Sequence, residues 1–141
     1  MSTLEEKVLE KHLQECLQQI CPLFKEVRER QGGKLPEELL DDAYVMGYVK
    51  GMANMLLARQ HVEDDNERGY AIILIFAKVF EKDPRMVGER LAILHADRSN
   101  IDYLEGITDG EDRLMGLNDG RRDEVTYRLM HRLEPYMKLE A

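Results

Sequence analysis

The chain has 141 residues, of which 43% are hydrophobic and 34% are charged, and its formal net charge is −8 at pH 7. This composition is that of a globular protein rather than a disordered one, and the length predicts a single domain over residues 1–141. The acidic balance argues against general nucleic-acid binding, which usually leaves a basic footprint, and permits a protein partner with a basic surface.

The cysteines and the N-terminal region indicate where the protein works. Cys16 and Cys21 are five residues apart on a predicted helix, which places their side chains on different faces and argues against a disulfide framework. Glu5 and Glu6 occupy positions where a signal peptide would be hydrophobic. No apolar run approaches the ~20 residues of a membrane span. We therefore expect a cytoplasmic protein with no membrane segment.

The first helix begins at Ser2 or Thr3, which are good N-caps, and carries apolar residues at three-and-four spacing as far as Val27. Pro22 falls inside this pattern, so either the helix bends there or a second helix starts there. The sequence Gln31-Gly32-Gly33 predicts a C-cap and a turn.

The second long helix is predicted over residues 36–60. Pro36 suits the first helical position, and the two glutamates after it complement the helix dipole. Apolar side chains cover most of its circumference, and the acidic stretch 61–66 connects it to the next helix.

The third helix is predicted over residues 66–82 and holds the longest apolar run of the chain, from Tyr70 to Ala77. Hydrophobicity alone would also permit a strand, but the run lacks the period-two alternation of a half-buried strand. Asn66 is a suitable N-cap, and Asp83-Pro84 ends the helix. We expect helices 36–60 and 66–82 to form a central apolar pair.

The last third of the chain is less regular. Asp83 and Pro84 begin a fourth helix, and Ser99-Asn100 begins a short helical piece. Two similar segments, Gly106–Gly110 and Gly116–Gly120, each end in Asp-Gly and predict turns. A final helix runs from about residue 121 to 139, with Pro135 bending or fraying its end. The fold class is therefore all-α, a single-domain bundle of five to six helices.

A ridge of small residues marks the second helix, where Ala43, Gly47 and Gly51 are spaced by four. Each glycine inside a helix costs ~1 kcal/mol relative to alanine, so the missing side chains have a use. We favour close packing against another helix, most plausibly helix 66–82, over a subunit interface or a bound ligand.

Two polar residues, Lys50 and Asn54, lie beside this ridge. They are either the solvent-facing stripe of the helix or a buried polar pair that needs partners. The candidate residues for contact with a ligand or partner are therefore Gly47, Lys50, Gly51 and Asn54.

Metal and catalytic motifs are weak. His12 and Cys16 stand at i and i+4, but the chain has no HxxxH, CxxC or ExxH motif, and both Asp-Gly segments fail the EF-hand pattern. Neither GxSxG nor GxxxxGK[ST] occurs. We assign no catalytic residue, metal or cofactor, and enzymatic activity is unsupported rather than excluded.

These observations favour a non-enzymatic protein–protein interaction module, a small acidic regulator, adaptor or inhibitor. The two central helices look too apolar for a small monomer to cover, which predicts a homodimer. The alternative is a small-molecule or cofactor sensor with a pocket beside Gly47 and Gly51. A helical metalloenzyme is a weaker third option.

Overall fold

The computed structural model describes residues 3–115 and 119–137, and within these ranges the chain is helical, with no strand. The prediction of an all-α bundle is confirmed. Six α-helices have 13 residues or more, and one, α2, is short. In chain order they are α1 Leu4–Ile20, α2 Lys25–Arg30, α3 Ala43–Arg59, α4 Asp65–Phe80, α5 Pro84–Ala96, α6 Ile101–Leu114 and α7 Asp119–Met137.

The first helical stretch is divided at its proline. Thr3 caps α1 by accepting a hydrogen bond from the backbone N–H of Glu6, as the capping pattern predicts. Pro22 lies in a 3₁₀ helix, Cys21–Phe24, that joins α1 to α2. Gly32 and Gly33 then turn the chain with φ angles of 76° and 93°, a conformation that glycine adopts without strain.

The prediction of a single helix over residues 36–60 is wrong. The chain instead forms a 3₁₀ helix, Glu37–Asp41, and breaks at Asp42 before α3 begins. Asp42 has an extended backbone, and its carboxylate accepts a hydrogen bond from Val45 N at 3.2 Å. An aspartate that can bond to the backbone this way competes with helix continuation and favours a new N-terminus.

The other helix ends follow local capping chemistry. Asp64, not Asn66, caps α4, by accepting a hydrogen bond from Glu67 N at 2.9 Å. The α4 helix ends at Glu81, which has a left-handed backbone with φ 55°. Asp83 caps α5 with Pro84 at its first position, as predicted.

The prediction of a turn at Gly106–Gly110 is also wrong. Asn100 caps α6 as expected, but α6 is 14 residues long and continues through the whole Gly106–Gly110 segment. Residues 116–118 of the second segment lie outside the described residues, and Asp119 and Gly120 belong to the first turn of α7. Pro135 lies inside α7, and the predicted extension to residue 139 is outside the described range.

The core is built around α3. Eleven of its 17 residues are buried, including both glycines and both tyrosines. The α4 helix buries seven of its 16 residues, and Phe76 and Phe80 stack on each other while Phe80 meets the ring of Phe24 edge-on. One stripe each of α1 and α7 completes the core, the latter through Val125, Leu129 and Leu133.

The glycine ridge of α3 packs directly on the backbone of α6. A Cβ atom added to Gly47 would overlap the carbonyl oxygen of Tyr103, and one added to Gly51 would overlap that of Ile107. Internal packing, the favoured prediction, is therefore what the ridge does. The prediction that helix 66–82 packs on the ridge is wrong, because the backbone of α6 lies there.

The contact is reciprocal, because α6 has its own glycines at four-residue spacing. A Cβ on Gly106 would overlap the carbonyl oxygen of Tyr44, and one on Gly110 would overlap that of Tyr48. Residue numbers rise together along both helices, so α3 and α6 run parallel. With no side chain on either side of this seam, the two backbones lie in van der Waals contact.

We predict that Gly51→Ala destabilises the protein by about 2 kcal/mol or more, because the added methyl group meets backbone that cannot rotate away. Gly69→Ala is the matched control: it is also a helical glycine, and a Cβ there meets nothing within 4 Å. That change should be neutral or stabilise the protein by about 0.5–1 kcal/mol. Urea denaturation measures both. Equal stabilities of the two variants would contradict the packed seam. Gly51→Leu should be more damaging than Gly51→Ala.

Candidate functional site

A buried carboxylate, Asp109 on α6, joins three helices. It is only 1% exposed. Its oxygens accept hydrogen bonds from Tyr44 Oη at 2.6 Å, from Arg121 Nη2 at 3.0 Å and from Arg128 Nη1 at 3.2 Å. A buried carboxylate is tolerated only when it is paired and hydrogen-bonded in this way. Tyr44 reaches it because the glycine seam brings α3 against α6.

The groups around Asp109 hold their protons firmly. Burial, followed by the hydrogen bond to Asp109, raises the pKa of the Tyr44 phenol. Hydrogen bonding to Asp112 raises the pKa of Arg121, and hydrogen bonding to Asp109 raises that of Arg128. Tyr44 therefore stays a neutral donor, and both guanidinium groups stay charged at physiological pH. This cluster therefore connects three helices through charged and neutral hydrogen-bond donors to one carboxylate.

Asp109 is one member of a longer set of ion pairs between α6 and α7. Acidic residues follow one stripe of α6 at spacings of three, four and three, and arginines follow a facing stripe of α7. The pairs join Asp102 with Arg132, Glu105 and Asp109 with Arg128, and Asp109 and Asp112 with Arg121. The order is reversed between the two helices, so α6 and α7 are antiparallel.

An open concavity of about 390 Å³ lies at one end of these helices. Because α3 and α6 are parallel, their N-caps, Asp42 and Asn100, come to the same end of the molecule, where the last turns of α7 meet them. We call this site the acidic concavity. It is lined by Glu38, Asp41, Asp42, Ala43, Asn100, Asp102, Arg132 and Tyr136.

Carboxylates outnumber cations in the acidic concavity by four to one. The one cation, Arg132, bonds to Asp102 at 3.2 Å, lies 3.8 Å from Asp42 and stacks over the ring of Tyr44 at 5.1 Å. From outside the concavity, Arg90 pairs with Asp41 at 2.6 Å.

This excess of negative charge affects the pKa of Tyr136, which lies in the wall of the acidic concavity. Burial raises the pKa of the Tyr136 phenol, and the charges of Asp42, Glu38 and Asp41 raise it further. Part of the acidity has a structural use, since Asp42 caps α3 and Asp102 lies in the first turn of α6. Of the other two carboxylates, Asp41 pairs with Arg90, and Glu38 has no ion pair within the described residues.

A smaller recess of about 170 Å³ adjoins the acidic concavity, and Arg132 lines both. Tyr127 is 71% exposed at its edge and stacks on His131 with ring centroids 6.2 Å apart. The recess thus offers aromatic surface next to the carboxylates. Its lining residues are Tyr44, Glu105, Tyr127, Arg128, His131 and Arg132.

The residues singled out from the sequence lie elsewhere. Gly47 and Gly51 are buried against α6. Lys50 is half-buried, with Nζ 3.3 Å from His95 Nδ1, and Asn54 accepts a hydrogen bond of 3.4 Å from Arg68. None of the four lines the acidic concavity. Contact of Lys50 or Asn54 with a ligand stays a prediction.

Sequence reasoning missed the Asp109 cluster and the acidic concavity for one reason. Gly106–Gly110 has the local signature of a turn, and a turn there would place the acidic residues on different faces instead of one helical stripe. Once residues 101–114 are taken as a helix, Asp102, Glu105 and Asp109 fall on one face, matched by Arg128 and Arg132 on the last helix.

The pair considered for metal binding has ordinary structural partners. His12 Nδ1 bonds to the side-chain oxygen of Gln60, and the Gln60 amide donates to Cys16 Sγ at 3.5 Å. Burial raises the pKa of the Cys16 thiol to about 11, so the thiolate form is scarce near neutral pH. Over residues 3–115 and 119–137, no group of three or more His, Cys, Asp or Glu side chains is arranged to hold a metal ion.

No protein-family model, curated protein or solved structure matches this chain. In the part of the chain that the structure describes, no helix combines the length and apolar character that crossing a membrane requires.

We predict that Asp109→Ala destabilises the protein by about 2–4 kcal/mol, because it leaves Tyr44 and two guanidinium groups without their shared partner. Tyr44→Phe removes one donor and should cost about 1–2 kcal/mol. Asp102→Ala breaks only an exposed ion pair and should cost less than about 1 kcal/mol. Free energies of unfolding in urea measure all three. A cost for Asp109→Ala no larger than that of Asp102→Ala would refute the central role of Asp109.

Proposed function

We propose that this protein is a non-enzymatic interaction module of the cytoplasm, a small regulator, adaptor or inhibitor that binds a basic segment of a protein partner. The observation that carries the proposal is the acidic concavity, an open volume of about 390 Å³ lined by four carboxylates and one guanidinium. The cytoplasmic assignment is supported by Cys16 and Cys21, which are free thiols.

The acidic concavity can accept a lysine or arginine side chain. Asp41, Asp42 and Asp102 are partly neutralised by Arg90 and Arg132. Glu38 has no ion pair within the described residues. Arg90 also pairs with Glu37 at 3.7 Å, so five carboxylates, with Glu37 included, face two guanidinium groups, an excess of three negative charges. Charge-assisted hydrogen bonds to such acceptors are about twice as strong as neutral ones.

Aromatic surface adds a second contribution. Tyr136 forms part of the wall of the acidic concavity, and the exposed ring of Tyr127 lies in the adjoining recess. The aliphatic stem of a bound lysine or arginine can pack on such rings, and its charged end gains cation–π attraction. The net charge of −8 would steer a basic partner toward the protein from a distance.

We also propose a homodimer, but not for the reason that the sequence suggested. The predicted central helices are covered within the chain, since α3 and α4 are largely buried. Three of the exposed apolar side chains lie on α6 and its C-cap, where Ile101, Leu104 and Met115 are 74%, 47% and 54% exposed. At 100° per residue these three positions fall within about 60° of one another, so they form one stripe.

The alternative, a small-molecule or cofactor sensor with a pocket beside Gly47 and Gly51, has less support. The backbone of α6 occupies the ridge, so that pocket would depend on Lys50 and Asn54 alone. A co-purified small molecule detected by native mass spectrometry would favour it.

We predict that a fluorescent lysine- and arginine-rich peptide binds the protein and that the triple variant Glu38→Gln, Asp41→Asn, Asp102→Asn loses about tenfold or more in affinity. Asp42 is left intact because it caps α3. Fluorescence anisotropy at two salt concentrations measures the affinity, which should fall as salt rises. Circular dichroism verifies that the variant remains folded.

The matched control neutralises three exposed carboxylates elsewhere, and therefore has the same net charge. Its substitutions are Glu10→Gln, Glu29→Gln and Glu63→Gln. This control should retain most of the affinity. Equal losses in the two triple variants would show that the peptide responds only to overall charge, and would overturn the acidic concavity as the binding site.

We predict that the protein sediments as a dimer at about 100 μM, in the range where weak homodimers form. Leu104→Glu, which places a charge in the α6 stripe, should give a monomer. Ile93→Glu on α5 changes an exposed apolar residue outside the stripe and should leave the dimer intact. A monomeric wild-type protein in analytical ultracentrifugation would refute the dimer.

A further inference from the structure

Lys50 on α3 has surroundings unlike those of the other described lysines. Its Nζ is 3.3 Å from Nδ1 of His95 on α5, and it lies 5.5 Å from the centroid of the Tyr103 ring on α6. The side chain is half-buried. No other lysine of the described residues makes a side-chain hydrogen bond or ion pair. These lysines are Lys7, Lys11, Lys25, Lys34, Lys78 and Lys82.

The charge on Lys50 has no carboxylate to balance it. Within the described residues, no acidic side chain forms an ion pair with it. Its neighbour Tyr103 is 2% exposed, and the hydroxyl of that tyrosine has no hydrogen-bond partner in the same part of the chain. The contacts of Lys50 are therefore an imidazole and an aromatic ring, with no carboxylate among them.

Two effects on the ammonium group oppose each other. The face of the Tyr103 ring favours the charged form, because cations are attracted to an aromatic face. Removal from water disfavours it, and this burial lowers the pKa of Lys50. Burial prevails, so a larger fraction of Lys50 than of a solvent-exposed lysine is the free amine, the form that acts as a nucleophile.

We propose that Lys50 is a lysine acylation site, at which the side-chain amine takes an acyl group from an acyl phosphate and His95 accepts the proton of the ammonium. The hydrogen bond fixes the geometry for this transfer, since an ammonium has only donors and Nδ1 must therefore present its lone pair. A proton acceptor has to lie within hydrogen-bond reach of the proton that it removes, and Nδ1 does.

The reaction balances without an oxidant or reductant. Nδ1 of His95 takes one proton from the Lys50 ammonium, and the free amine attacks the carbonyl carbon of the acyl phosphate. The new C–N bond forms as the C–O bond to phosphorus breaks, and inorganic phosphate leaves with the electron pair. The second proton passes to the departing phosphate, His95 releases the first to water, and a neutral amide remains.

The product differs from Lys50 in charge as well as in size. Acylation removes one positive charge, which makes an already acidic protein more negative. It also removes the cost of holding an ammonium in a half-buried position without a counter-ion. The modification would therefore be tolerated by the fold, and it would increase the attraction for a basic partner.

The test is incubation of the folded protein with acetyl phosphate at pH 8, followed by quantitative peptide mass spectrometry over time. The six exposed or partly exposed lysines named above are internal controls in the same sample. Because burial lowers the pKa of Lys50 and so raises its free-amine fraction, we expect Lys50 to be acetylated about threefold or more faster than their median.

The variant His95→Gln separates the role of the imidazole from that of burial. Glutamine can accept a hydrogen bond from Lys50 but does not take up a proton. His95 is exposed, so the substitution should leave the fold intact. We expect acetylation of Lys50 to slow by about threefold or more in this variant, with the control lysines unchanged. A Lys50 rate no higher than the median, or no slowing in His95→Gln, would overturn the proposal.

Discussion

The direct contact between the backbones of α3 and α6 determines where the neighbouring helices and the acidic concavity lie. Four glycines, two on each helix, leave no side-chain layer between them. Each costs helix propensity, and the loss is offset by close packing along the whole seam. Because the helices are parallel, the seam also places both of their N-termini at one end of the molecule. The acidic concavity exists there for that reason.

The seam also explains a polar group in the core. Asp109 precedes the last glycine of α6, and the close approach carries its carboxylate to the hydroxyl of Tyr44. The antiparallel α7 then places the guanidinium groups of Arg121 and Arg128 within ion-pair distance of this carboxylate. Buried ion pairs add little net stability compared with an apolar core, but removing one partner is costly. The cluster therefore fixes how α7 docks more than it strengthens the fold.

Charge is distributed in a way that separates two surfaces of the molecule. Where α3, α6 and α7 meet, carboxylates exceed guanidinium groups. Burial and the charges of these carboxylates raise the pKa of Tyr136 in the wall of the concavity. On α3, beside the seam, Lys50 contacts His95 and the ring of Tyr103 and forms no ion pair with a carboxylate of the described residues. The first environment supports the proposed binding of a basic partner. In the second, partial burial lowers the pKa of Lys50.

The all-helical class, most capping residues and the close packing of the ridge at Gly47 and Gly51 can be predicted from the sequence, because these depend on local spacing and backbone chemistry. Helical periodicity also locates much of the core. The helical position of Gly110 cannot be predicted in this way, because Asp-Gly favours a turn locally and packing against Tyr48 overrides that preference. The acidic concavity could not be predicted for the same physical reason. Its residues come from separate helices, and the parallel seam that unites them is a property of the packed chain.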